Sequence, residues 1–164
     1  MKNLFLFALI VFNLPKNGYA QVASAMPPDA DEFYNTTMPL LKPQVKKIIL
    51  QTAEAIKQQK VNADSLSNNL HKNPQLKGMS KNDIEGITVL VLVRASKDAD
   101  DELKKMVMKI SRNSNQGNSM AKENDPQNLK LQIIMNRKSD MAEEIGYVMK
   151  KISGSQQNII DNLK

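Results

Sequence analysis

The chain has 164 residues, a formal net charge of +6, no cysteine, no tryptophan and one histidine. Those counts exclude disulfide scaffolds, thiol chemistry and the usual His/Cys zinc sets. With 41% hydrophobic residues it is too apolar to be wholly disordered, and its few aromatics and 10 methionines predict an aliphatic core.

The first segment is read as a cleavable signal peptide over residues 1–20. Lys2 opens it, an apolar run covers 4–14, and Pro15 and Gly18 precede Ala20. The run is too short for a membrane-spanning helix, which needs roughly twenty residues. Cleavage is expected after Ala20 or Ala25, and there is no cysteine to carry a lipid anchor. Loss of Lys2 and Lys16 takes the formal charge from +6 to +4. An exported protein, periplasmic or secreted, with no transmembrane helix in its mature chain follows. Export without disulfides points to a bacterial envelope.

Residues 21–36, with Pro27, Pro28, Asp29, Asp31 and Glu32, read as a flexible leader in which Phe33 and Tyr34 dock on the domain. A single domain is expected over 37–164. Its first helix becomes regular at Pro43, where a proline fits the first turn. Leu41, Val45, Ile48, Thr52 and Ile56 then mark one helical face. Residues 62–78 form a connector holding a short helix with Leu66 and Leu70, stopped by Asn73-Pro74.

Ser80 and Asp83 carry the Ser-x-x-acid start of a second long helix. Its centre, 87–93, is apolar on every side. That composition also suits a strand, but no second such run offers a partner, so a buried helix is predicted. Residues 98–102 are either an acidic helix face or a new helix start. Residues 112–123 read as a linker.

Asp125-Pro126 starts the third long helix. Ile134, Met141, Ile145, Val148, Ile152, Ile159 and Leu163 form a narrow stripe along it. The polar stretch 136–140 allows a break. Continuous to Lys164, the helix would be about 58 Å long. The predicted fold is therefore all-α: an up-down-up antiparallel bundle of about three long helices plus a short connector helix.

Little catalytic chemistry is available. His71 sits in a polar connector, so a Ser-His-Asp triad is disfavoured. Residues 98–102 place Leu103 and Lys109 where a calcium loop needs glycine and glutamate. No catalytic, cofactor or metal residues are assigned, and no cofactor is expected. Acids interleave with bases and aromatics are scarce, which argues against nucleic acid and leaves at most weak attraction to anionic surfaces. Arg94, beside the apolar run, is expected in a buried ion pair with a neighbouring helix. Gly86 is read as a site of close helix approach or a tolerated cost of up to about 1 kcal/mol.

The expected function is non-enzymatic contact with another protein, or self-association, through a helical stripe. Met141, Ile145, Val148, Ile152, Ile159 and Leu163 are the candidate surface, as an adaptor, a chaperone-like module or a secretion-apparatus component. The alternatives are a carrier of an apolar ligand walled by 87–93 and, from another class, an exported hydrolase.

Overall fold

The computed structural model describes residues 25–114 and 126–164. The signal peptide predicted over 1–20 and most of the predicted linker lie outside the described residues. Among those residues the chain is helical, with no strand. Six α-helices follow in order: α1 Pro28–Thr37, α2 Pro43–Ile56, α3 Ala63–His71, α4 Lys81–Ser114, α5 Pro126–Ile152 and α6 Gln156–Leu163. Short 3-10 turns cover Met38–Leu40 and Pro74–Leu76.

Local chemistry sets most of these boundaries. Pro43 opens α2 at a position whose missing N–H would have no helical partner. The Asn62 side chain caps α3 by accepting from Ser65 N at 3.0 Å. Glu144 of α5 adds a second cap, its Oε2 accepting from Ala63 N at 2.8 Å, where the positive end of the α3 dipole favours a carboxylate. Ser80 and Asp83 form a reciprocal box. Ser80 Oγ accepts from Asp83 N and Asp83 Oδ2 accepts from Ser80 N, both at 3.1 Å.

Helix α4 is the centre of the molecule, and α1, α2, α3, α5 and α6 all pack on it. Residues 83–93 are consequently buried without a break. The run 87–93 is helical, as its lack of a strand partner predicts, and it is apolar all round because neighbours cover every side. Pairs between α4 and α5 run in opposite order. Glu102 meets Lys130 and Asp100 meets Lys138 near one end, whereas Asn82 meets Ser155 just past the other.

Several expectations are corrected. Two helices are long rather than three, with 34 residues in α4 and 27 in α5 against 14 in α2. The leader is helical from Pro28 to Thr37 and buries Ala30, Phe33 and Tyr34. Its proline and acids are start chemistry for a short helix: Pro28 at the first position, Asp29 and Asp31 in the first turn. Lys97 of α4 holds it there, 2.6 Å from Asp31 and 5.3 Å above the Tyr34 ring. Helix α4 also continues through the residues read as the start of a linker, to Ser114.

The stretches 98–102 and 136–140 lie inside continuous helices. The break comes later, at 153–155. Gly154 adopts φ +84°, a left-handed conformation that L side chains rarely take, and Ser155 N donates to Ile152 O at 2.9 Å. The long third helix thus ends at Ile152, and α6 starts separately at Gln156. The end of α6 returns to the start of α2, where Lys42 N donates to Leu163 O at 3.2 Å.

Candidate interaction surface

The apolar stripe expected to meet a partner is core. Met141, Ile145, Val148, Ile152, Ile159 and Leu163 are all buried, as is Ile134. Met141, Ile145, Val148 and Ile152 share one face of α5, while Ile159 and Leu163 lie on α6, and both helices pack these residues against α4 and its neighbours. Within one chain the long central helix already takes up this seam.

Arg94 is likewise relocated. Its side chain is 40% exposed, and its ion-pair partner is Asp98 on the same helix, with Nη2 2.7 Å from Oδ1 and Nε 3.2 Å from Oδ2, while Tyr34 of α1 adds a side-chain hydrogen bond to the guanidinium. The fork-on-carboxylate geometry is bidentate, but the ion pair is neither buried nor between helices. An i,i+4 spacing on a helix surface makes the nearer partner available first.

The acids at 98–102 are each engaged by a base. Asp98 pairs with Arg94, Asp100 with Lys138, Asp101 with Lys104 and Glu102 with Lys130. Among the described residues no group of His, Asp or Glu is arranged to hold a metal ion. Nor is any helix there long and apolar enough to cross a membrane.

A shallow cleft of ≈ 230 Å³ is lined by Ser67, Asn68, His71, Lys81 and Ile84. It brings the one histidine near a serine, but no carboxylate lines it. Asp64, on the same helix as His71, is turned away to Tyr147 Oη at 3.0 Å and Lys151 Nζ at 2.7 Å. These contacts lower the Asp64 pKa, chiefly through the Lys151 bond and then the Tyr147 bond. They raise the Lys151 pKa in turn, with Asp64 the largest cause. Lys151 also stacks 4.1 Å above the Tyr147 ring. The wall proposed for an apolar ligand, 87–93, faces the chain's own helices and is fully packed.

Large apolar side chains are exposed at scattered points, Leu40, Leu50 and Tyr147 among them, and three more lie together at the far end of the α4–α5 pair. Leu129 is 60% exposed, Ile133 48% and Met108 58%. Leu103, Met106, Val107 and Ile110 of α4 are only half-buried there. The first half of α4 is covered on all sides, whereas the stretch after Ala99 has no fully buried residue among those described.

Leu129 and Ile133 belong to a face of α5 whose other end is covered. Lys130, Arg137, Glu144 and Lys151 recur every seventh residue and mark one side of the helix. Arg137 Nη1 donates to Lys57 O at 2.6 Å, Glu144 accepts from Ala63 N and Lys151 meets Asp64. The end of α2 and the start of α3 therefore seal that side from Arg137 onward. Toward the α5 N-terminus the same side, with Leu129 and Ile133, is open.

The sequence reading missed these residues because it followed the single cleanest stripe. The available signal was an excess: Leu129, Leu131, Ile133 and Ile134 supply more apolar positions than one helical seam accepts. No known protein-family model matches the chain, and no curated protein or solved structure matches it significantly.

Proposed function

We propose that this chain is an exported, non-enzymatic interaction module, an adaptor or chaperone-like component built on an antiparallel helical bundle. It acts by contact through the far end of its α4–α5 pair. The observation that carries this reading is the exposure of Leu129 and Ile133 on a face that the chain's own helices cover elsewhere. Exposed apolar residues clustered on one face mark interaction sites more often than scattered ones do. The export half of the proposal rests on the layout of residues 1–20 and the absence of cysteine.

A photo-crosslinking residue at position 133, introduced in the source cell, tests both halves. The expected result is a protein adduct on a cleaved form that begins near Gln21 or Met26, with none from the exposed control position Gln44. Leu129→Asp should remove the adduct while leaving the thermal unfolding midpoint nearly unchanged. Uncleaved protein retained in the cytoplasm would overturn export. Equal labelling at 133 and 44 would overturn the contact site.

A further inference from the structure

We propose that the open groove at the far end of α4 and α5 seats an acidic amphipathic helix of a partner protein. This rests on the contact reading above and names the partner's chemistry. The groove continues a seat that a helix of this chain already fills. Helix α2 packs on α4 and ends where Arg137 of α5 takes the Lys57 carbonyl and the Gln58 side chain. Lys57 pairs chiefly with Glu54 of its own helix, and the Asp98 and Glu102 carboxylates of α4 act on it more weakly from across the contact. Beyond that point α2 has ended but α4 and α5 run on together, joined by the Glu102–Lys130 pair.

Glu102 fixes which side of α4 borders the groove. Lys105 and Lys109, three and seven residues further on, share that side, and Met106 lies beside them toward α5. The opposite wall is Leu129, Lys130 and Ile133. The stretch of α4 from Glu102 to Ser111 is about 14 Å long, room for some two and a half turns of helix.

Charge selects the occupant. Glu102 is neutralised by Lys130 and Asp101 by Lys104. Lys105 and Lys109 are exposed and have no acidic partner among the described residues. An apolar floor bordered by cations that no acid of the described residues neutralises favours a helix with one apolar stripe and acids beside it. A second copy would bring the same lysines against each other. A flat anionic membrane would reward apolar side chains on one convex face, yet Met108 lies two positions from Met106, on the other side of α4 from the groove.

The test uses the isolated protein, isotope-labelled, and three probes. The first is a helical peptide with leucine at i, i+3, i+4 and i+7 flanked by glutamate, the second its lysine-for-glutamate counterpart, and the third phosphatidylglycerol vesicles. The expected result is binding of the acidic peptide alone, with shifts at Met106, Leu129 and Ile133. Ile133→Asp and the double change Lys105→Glu/Lys109→Glu should each weaken it by about tenfold or more at low salt. Both sites are at the surface, and thermal melting confirms that the variants fold.

Binding of both peptides alike, or shifts elsewhere, would overturn the proposal. So would vesicle binding that these substitutions abolish, or a dimer formed through Ile133 that excludes the peptide. A crosslinked adduct at position 133 without binding of the acidic peptide would overturn the partner class and leave the contact reading standing. No adduct would remove both.

Discussion

Gly86 of α4 lies against Ile159 of α6: a Cβ placed on Gly86 would sit 2.5 Å from Ile159 Cγ2. Ile159 is buried and β-branched, so it has little freedom to move away. The glycine in the second turn of the central helix is thus the hole into which the last helix fits.

Gly86→Ala should therefore destabilise the protein, although alanine is the better helix former by about 1 kcal/mol. Overpacking costs about 1–3 kcal/mol and should exceed that gain. Urea unfolding measures the net effect. The change should be less harmful, or even favourable, in an Ile159→Ala background, where the clashing methyl is gone.

Ile152→Asp should unfold the domain rather than silence a binding site, since it places a carboxylate in a fully buried position. The milder Ile152→Ala should fold and lose about 2–5 kcal/mol. Circular dichroism during denaturation separates the two. A folded Ile152→Asp protein would show that this stripe is not core.

Asp83 serves two elements, capping α4 through Ser80 N and accepting from Asn162 Nδ2 of α6 at 3.0 Å. Asp83→Ala should cost about 1 kcal/mol for the cap and more for the freed amide. Asn162→Ala should cost less, because the cap survives. A double-mutant cycle should give a coupling between the two residues.

Ser96 is fully buried in α4 and its Oγ has no hydrogen-bond partner. Ser96→Ala should raise stability by about 1 kcal/mol, by removing a buried hydroxyl that lost its water. Differential scanning calorimetry would register a higher melting temperature. A fall would mean that the hydroxyl has a partner.

The Asp64–Lys151–Tyr147 group predicts the pH response of the α3–α5 contact. The Asp64 carboxyl titrates below its ordinary 3.8 in the folded state. The stability it contributes is present above 3.8 and lost as pH falls through the lowered folded value. For Lys151 the sign reverses. Its folded pKa lies above 10.5, so its contribution is complete below 10.5 and lost as pH rises through the folded value. Lys151→Met should bring the Asp64 titration, followed by NMR, back toward 3.8. Tyr147→Phe should do so in part.

What the residues disclosed in advance depended on how local the deciding physics is. The Pro43 start, the Ser80–Asp83 box and the Asn73-Pro74 stop are written within a few positions of each other, and each is found. Burial of 87–93 was legible because no polar residue interrupts it but Thr88, whose hydroxyl donates to Ile84 O at 2.8 Å. The use of the stripe from Met141 to Leu163 was not legible. Periodicity gives the face of a helix but not whether its cover comes from the same chain. Nor did composition disclose α1, because ten residues hold too few turns for a period, and its docking depends on Lys97, far along the chain.

The central position of α4 also orders assembly in time. Its polar anchor Asp83 is completed by Asn162, 79 residues later in the chain. A chain emerging from the ribosome as far as Ser114 presents residues 87–93 with only α1, α2 and α3 available to cover them. Closure waits for α5 and then α6, and non-local closure of this kind is slow. Until then the molecule carries an uncovered, charge-free surface of isoleucine, leucine and valine, the kind of segment that holdase chaperones shield. The arrangement that leaves α4 most protected in the finished protein is the one that leaves it most vulnerable while the protein is being made.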